Sequence, residues 1–219
     1  MVSYEMIKNS ADVREYIRRA DESLISLGYT EHSFAHVERV ASSVEYILRT
    51  MGFSEHDIEI GKIAAYLHDI GNLVNRVDHS QSGGVMAFRI LDRMGMDPAD
   101  IAVIVSAIGN HDEGTGVPVH PIAAALILSD KSDVRRSRVR NQDVATFDIH
   151  DRVNYSVTKS ELKISEDKSE ICLMLSIETQ YSAVMDYFEI FLNRMIMCRK
   201  AAEKLGMKFS LVINGQFLL

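Results

Sequence analysis

His68 and Asp69 stand side by side in the stretch AAYLHDIGN, at the end of an apolar segment. The pair presents an imidazole nitrogen and a carboxylate oxygen on one small region of surface, where a divalent metal ion can take both. Such a dipeptide also occurs at ordinary capped or solvated helix ends, so the pair alone is a weak indication. Further candidate ligands, each on a predicted helix or helix edge, are His36, His79, His111 and Asp130. Together with the pair they predict a metal centre.

The elements that must position these side chains are predicted to be helices. From residue 10 to about residue 140, apolar residues recur at helical spacing, and Gly, Ser, Asp and Pro stand where helices should begin and end. This half of the chain therefore predicts an all-α unit. The predicted helices cover residues 13–27, 33–51, 54–67, 79–94, 97–108 and 122–133.

The pattern of apolar residues changes after about Asp143. Apolar and polar residues then alternate in short segments, which predicts a β-hairpin or meander. A long amphipathic helix and a last strand follow. The alternating segments cover residues 153–157, 162–164 and 171–177, the helix about 181–205 and the last strand 208–213.

We therefore predict a mainly α protein in two parts. Residues 1–143 form an all-α helical bundle, and residues 144–219 form a small α+β appendage of β-β-α-β order. The appendage is expected to serve as a homodimer interface or as a cap over the substrate, because its long helix has more apolar positions than one sheet face needs.

The composition of the chain disfavours some classes of function. The net charge of −7 disfavours a general nucleic-acid or membrane surface, since either favours clustered Lys and Arg. The chain has no apolar run of membrane-spanning length, and its first residues, MVSYEMIKNSADV, lack the layout of a signal peptide. We therefore expect a cytoplasmic protein that acts on a small molecule. Cys172 and Cys198 lie in apolar stretches without metal-type spacing and are predicted to be buried free thiols.

Five stretches over roughly residues 32–135 resemble the HD-domain superfamily of metal-dependent phosphohydrolases: HSFAHVERVA, YLHDIGN, DHSQSGG, AIGNHDEGTGVP and LILSDKSDV. The resemblance implies an HD helical bundle in which Asp69 bridges two divalent ions. Iron is the favoured metal, with manganese or zinc as alternatives. By the same resemblance, the first ion is held by His36, His68, Asp69 and Asp130, and the second by His79, His111 and Asp69.

The loop after His111 also resembles the HD-GYP subgroup, which hydrolyses cyclic dinucleotides. The chain departs from that subgroup, most notably at Asn72, where the subgroup's HDIGK motif has a phosphate-contacting Lys, and at Val117, where GYP has Tyr. Asn110 and Asp112 differ from its His-His pair and its usual Glu as well. His32 stands where some members carry a third-metal ligand.

Phosphate recognition needs cationic groups near the metals, and Lys131, Arg76 and Arg135 are the candidates. Lys131 and Arg135 are expected to share one helical face at i,i+4. Asp133 is a candidate to orient Lys131 or a water, so Asp69, Lys131 and Asp133 form the predicted catalytic set. Asp133 and His120 are candidate proton donors, although His120 precedes Pro121 and is equally explained as a helix cap.

These residues predict a phosphohydrolase that cleaves a phosphomonoester or phosphoanhydride of a nucleotide or similar metabolite through a metal-bound hydroxide. Three alternatives stay open at this point. A cyclic-dinucleotide phosphodiesterase would share the ligands, and a di-iron HD oxygenase would show substrate-dependent oxygen uptake. A non-catalytic metal-containing sensor would bind ligand without turnover, but a structural site needs only four closed ligands, fewer than this chain offers.

Overall fold

A computed structural model describes residues 2–218 of the chain. The helical part confirms the predicted helices and adds a short one at its start, while the C-terminal part combines two helices with a small sheet. The helices are α1 (Tyr4–Lys8), α2 (Ala11–Ser26), α3 (Phe34–Met51), α4 (Glu55–Leu67), α5 (His79–Arg93), α6 (Pro98–Gly109), α7 (Pro121–Lys131), α8 (Ile149–Ser156) and α9 (Val184–Lys204). The strands are β1 (Val157–Ile164), β2 (Glu170–Ile177), β3 (Lys208–Ile213) and β4 (Gln216–Phe217).

Helix ends follow local chemistry that can be read from the sequence. The hydroxyl of Ser54 accepts a hydrogen bond from the backbone of Asp57 at 3.1 Å and caps α4. Asp97 caps α6 directly before Pro98, which has no N–H to leave unpaired. Gly52 ends α3 with a left-handed φ of 85°. Because these signals are local, the predicted helix ends agree closely with the structure.

The helix α7 lies at the centre of the helical part, where α3, α4, α6 and α9 pack around it. Its residues 123–128 are fully buried, so the helix has no polar stripe facing water. The C-terminal part of α4 is similarly enclosed, since its residues 63–67 are fully buried. Side chains at the ends of these two helices are therefore held by a close-packed interior.

The C-terminal sheet has the strand order β1-β2-β3-β4. β1 and β2 are antiparallel, and β2 and β3 are parallel, joined by the crossover helix α9. The predicted β-β-α-β order is therefore confirmed over these elements, and β4 adds an antiparallel edge.

Residues 153–155 were expected in a strand, and that prediction is wrong: they belong to α8. The carboxylate of Asp148 accepts a hydrogen bond from the backbone of Asp151 at 2.8 Å and starts this helix. Val153 is buried while Tyr155 is only partly so, and a helix of eight residues is too short for its apolar spacing to be told from alternation.

One hydrophobic cluster runs through both halves of the chain, from Ile127 of α7 to Phe191 of α9 and Leu173 of β2. Residue 143 remains the predicted division between the two parts. Cys198 is buried, and burial raises the pKa of its thiol to about 12, whereas Cys172 is partly exposed. Within residues 2–218, no helix has the length and apolar character needed to cross a membrane.

Candidate metal centre

Six side chains that the sequence singles out converge on one buried point. Each comes from the end of a helix or from the residue next to it, so five segments of chain contribute to a single cluster. His36 is in the first turn of α3, His68 and Asp69 follow α4, His79 begins α5, His111 follows α6, and Asp130 is in the last turn of α7.

The four histidines of the cluster have their ring orientation fixed by hydrogen bonds. In each, Nδ1 faces an acceptor, so the proton resides there and the lone pair of Nε2 points into the cluster. The histidines are thereby prepared as neutral metal ligands. The acceptors are Asp133 for His36 (2.8 Å), the carbonyl of Ala65 for His68 (2.7 Å), that of Arg76 for His79 (3.0 Å) and that of Ile108 for His111 (2.7 Å).

The two oxygens of Asp69 face different pairs of histidines. Oδ2 lies 3.2 Å from Nε2 of His68 and 3.6 Å from Nε2 of His36. Oδ1 lies 3.4 Å from Nε2 of His79 and 3.9 Å from Nε2 of His111. Asp69 therefore stands between two half-sites, one with His36 and His68 and the other with His79 and His111.

The first half-site is completed by Asp130, whose Oδ1 lies 3.3 Å from Nε2 of His36 and 3.6 Å from Nε2 of His68. The two imidazole nitrogens of this half-site are 3.3 Å apart, and those of His79 and His111 are 3.2 Å apart. Two donors about 2.1 Å from a common ion are roughly 3.0–3.4 Å apart at octahedral or tetrahedral angles. The spacing of these donors therefore fits metal coordination.

The electrostatics of the cluster favour positive charge on His68 and oppose it on His111. Burial opposes the charged form of His68, but the carboxylates of Asp69 and Asp130 outweigh it and raise the pKa of His68 to about 10. Burial, together with the charges of His68 and Lys131, lowers the pKa of His111 to about 3. A divalent cation would compensate the carboxylates with its own charge and leave both imidazoles neutral. The residues present therefore fit a divalent ion.

A family model described as HD domain matches residues 33–189 of the chain. The matched region covers well over half of the sequence and contains the whole ligand cluster. The chain belongs to the HD domain family. The match runs from α3 into α9, so the family region includes part of the C-terminal sheet.

Relatives of this HD domain protein include an uncharacterized protein of Methanocaldococcus jannaschii. The two are 26% identical over 81% of this chain and 77% of the relative. A crystal structure of a predicted HD superfamily hydrolase from an uncultured Thermotogales bacterium is 25% identical, with a TM-score of 0.44 over 60% of this chain and 73% of the other.

Asp133 lies next to the ligand cluster and contacts it through His36. It is buried, accepts the hydrogen bond of His36, and is approached by Arg39 at 3.1 Å and Arg135 at 2.9 Å. Burial opposes its ionisation, yet the hydrogen bond from His36 and the charge of Arg138 hold its pKa well below the usual range. Asp133 is therefore a charged acceptor that orients His36, and it is poorly suited to donate a proton.

Asn72 links the carboxylate of Asp69 to a nearby cation. Its amide donates to Oδ1 of Asp69 at 3.0 Å, and its oxygen accepts from Arg76 at 3.3 Å. The residue that departs from the HDIGK pattern is thus part of the support of Asp69, and it brings a guanidinium to the rim of the cluster.

Four cations surround the open side of the cluster, and we call them the cationic collar: Arg76, Lys131, Arg138 and Arg194. Nζ of Lys131 lies 2.8 Å from Oδ2 of Asp130 and 3.2 Å from Oε1 of Glu113, which in turn lies 2.7 Å from Nε of Arg194. Burial disfavours the charged form of Lys131, but the charges of Asp130 and Glu113 raise its pKa. The collar is therefore a charged surface next to the ligand cluster.

The structure brings some predicted phosphate-binding residues to the collar and not others. Lys131 and Arg76 line it, whereas Arg135 pairs with Glu31 at 2.9 Å and with Asp133. The prediction that Lys131 and Arg135 share one helical face is wrong, because α7 ends at Lys131 and Arg135 has an extended backbone.

Two further predicted histidines take different positions. His120 caps α7, since its Nδ1 accepts from the backbone of Ala123 at 3.1 Å, and its Nε2 contacts the hydroxyl of Ser106. His32 precedes α3, and its ring lines the cavity beside the cluster. Its Nδ1 lies 2.7 Å from the carbonyl of Thr30, the same fixed orientation as in the four ligand candidates.

Gly71 allows the turn after the HD pair to pack directly on α5. A Cβ at this position would lie 1.9 Å from the carbonyl oxygen of His79 and 2.4 Å from the amide of Gly83. Because both contacts are backbone, Gly71→Ala is expected to lower the free energy of unfolding by about 3 kcal/mol and to reduce metal content. Urea unfolding and elemental analysis measure the two effects.

Gly109→Ala is the matched control for this substitution. Its Cβ would meet only the side chain of Gln81, at 3.9 Å, and it lies in the last turn of α6. The control is expected to leave stability unchanged or raise it by up to about 1 kcal/mol. A Gly71→Ala protein with wild-type stability and full metal content would contradict the close packing described for this turn.

Proposed function

We propose that this HD domain protein is a metal-dependent phosphohydrolase with two ions, which cleaves the phosphomonoester or phosphoanhydride of a nucleotide or similar metabolite. The observation that carries the proposal is the division of the Asp69 oxygens between two histidine pairs beside the cationic collar. His36, His68 and Asp130 would hold the first ion with Asp69, and His79 and His111 the second.

The chemistry of the donors supports this assignment. Bound divalent ions supply Lewis acidity toward phosphate oxygens and lower the pKa of a bound water molecule. The chain's own residues supply the rest: the collar places guanidinium and ammonium donors where a dianionic phosphate can be held. Lys131 and Arg76 are the proposed phosphate contacts, joined by Arg138 and Arg194.

A direct test combines metal analysis with a substrate screen. Purified protein is analysed for iron, manganese and zinc, and phosphate release is then followed with each metal across nucleotides, cyclic dinucleotides and phosphorylated metabolites. The proposal expects close to two ions per chain and phosphate release that stops after chelation. Stoichiometric metal without release from any phosphoester would refute it, and oxygen uptake with a reduced iron form would point to an oxygenase instead.

Arg76→Ala tests the phosphate-binding role of the collar. Losing a charge-assisted hydrogen bond should raise KM for a phosphoester about 10- to 100-fold, with metal content unchanged. Steady-state kinetics on the loaded protein measures the effect. Arg93→Ala, on the exposed last turn of α5, is the matched control and should keep the wild-type KM. Equal KM values for the two variants would remove Arg76 from the proposed site.

A further inference from the structure

A second cavity adjoins the ligand cluster and has no assigned role. We call it the outer chamber, a space of about 430 Å³ bounded by Tyr29, Asp148, Asp151, Asn154 and Phe191. His32 and the arginines of the cationic collar line both this chamber and the cavity of the ligand cluster. A phosphate held by the collar would therefore direct the rest of its molecule into the outer chamber, whose volume suits a small ligand.

The charge of the lining side chains changes from positive to negative between the ligand cluster and the outer chamber. The positive side chains stand at the junction, where both cavities share them. Beyond the junction, three acids line the outer chamber and not the cavity of the ligand cluster, as far as residues 2–218 show: Glu113, Asp148 and Asp151. The carboxylate of Glu113 is engaged by Lys131 and Arg194, which leaves Asp148 and Asp151, with His150 between them in the chain. The wall around Asp148 and Asp151 therefore disfavours a second anionic group, whereas the arginines at the junction attract one.

The polar wall of the outer chamber consists of hydrogen-bond acceptors on and next to α8. Asp148 and Asp151 each use a carboxylate oxygen within the protein, the first for the α8 cap and the second for Asn141 at 3.3 Å. Asn154 is only 6% exposed, and its amide nitrogen donates to the carbonyl of His150 at 2.9 Å. Its Oδ1 accepts no hydrogen bond within the part of the chain the structure describes, so this oxygen is available to a donor of a ligand in the chamber.

We propose that the outer chamber binds the leaving group of a phosphomonoester, and that this group carries hydroxyl or amino donors and no second phosphate. The inference rests on the proposed function. Hydrolysis breaks the P–O bond to the leaving group, joins the water oxygen to phosphorus and returns a proton to the leaving oxygen, so a monoester releases a neutral alcohol. A phosphoanhydride would instead release a phosphate anion toward Asp148 and Asp151.

The test compares three probes that share a terminal phosphate: ribitol 5-phosphate, n-pentyl phosphate and inorganic pyrophosphate. The first two differ in the hydroxyls of a five-carbon leaving group, and the third has an anionic leaving group. With metal-loaded full-length protein, kcat/KM for ribitol 5-phosphate is expected to exceed each of the others at least tenfold, the size of a hydrogen bond to a charged group.

The double variant Asp148→Asn, Asp151→Asn removes both charges and keeps side-chain size, and Asn is as good a helix cap as Asp. It should reduce the preference for ribitol 5-phosphate over pyrophosphate about tenfold. Asp92→Asn, on the exposed face of α5, is the control and should keep the wild-type ratio. Circular dichroism verifies that each variant is folded.

The outcomes distinguish a failure of the outer-chamber proposal from a failure of the proposed phosphohydrolase function. Hydrolysis of all three probes at equal kcat/KM, or a double variant that keeps the wild-type ratio, would overturn the role of the outer chamber and leave the phosphohydrolase intact. Failure of the loaded protein to release phosphate from any probe or any member of the phosphoester screen would overturn both.

Discussion

Asp69→Ala is expected to lower kcat/KM for phosphate release by about 10³-fold, the size of effect seen when a key electrostatic group leaves an active site. The expected loss is large because one carboxylate serves both half-sites. Its Oδ2 faces His68 and its Oδ1 faces His79, so no neighbouring side chain can replace it in both. Elemental analysis should show fewer than two ions per chain, and kinetics with excess metal should not restore the rate.

Two companion variants make the result for Asp69 specific. Asp69→Asn keeps the size of the side chain and can still bond to Asn72, so it separates charge and coordination from packing. Asp92→Ala removes an exposed carboxylate of α5 and should be indistinguishable from wild type. An Asp69→Ala protein that stayed fully active after chelation would refute both the metal assignment and the proposed reaction.

The ligand cluster could be predicted from the sequence because its members lie at helix ends, which local signals mark. Gly52 marks the end of α3 and Ser54 the start of α4, and the apolar run of α4 leads directly to His68 and Asp69. The family resemblance then indicated which other residues belong to the ligand set. The division of the Asp69 oxygens between two histidine pairs needed coordinates, because it depends on how four helix ends meet.

Two members of the cationic collar, Arg138 and Arg194, could not be predicted from the sequence. Arg194 lies on α9, in the part read as an appendage, and reaches the site only because α9 packs on α7. The sequence does not distinguish it, since α9 is amphipathic and carries the further cations Arg199, Lys200 and Lys204. Arg138 stands in the basic stretch RRSRVR, yet it is buried, with Nε donating to the carbonyl of Glu31 at 2.8 Å. Charge runs do not reveal which members a tertiary contact will bury.

The collar and the outer chamber also give the C-terminal part a role in the site. α8 supplies the acceptor wall and α9 supplies Arg194, while the metal ligands all come from residues before the predicted division at 143. We expect the two parts to unfold together, because one hydrophobic cluster connects them. The proposed acceptors for the leaving group thus lie on a later segment than the candidate metal ligands, within one packed unit.

Asp133→Asn should weaken metal binding about 10- to 100-fold, the usual effect of losing the group that orients a ligating histidine. An asparagine amide has one acceptor side and one donor side, but Asp133 accepts from His36 on one side and faces Arg135 on the other. If the amide nitrogen turns to His36, the proton of that ring moves to Nε2, the atom that would coordinate metal. If it turns to the guanidinium, two donors face each other.

The same substitution should lower the free energy of unfolding by about 3 kcal/mol, since it leaves buried Arg138 with less compensation. Competition with a chelator measures metal affinity, and urea unfolding of the metal-free protein measures stability separately. A purely structural role predicts a loss of stability with unchanged affinity for metal per folded molecule, which would contradict the orienting role. Asp92→Asn should change neither quantity. Partial recovery of kcat at saturating metal would agree with a residue that acts through His36, because the ligands themselves remain in place.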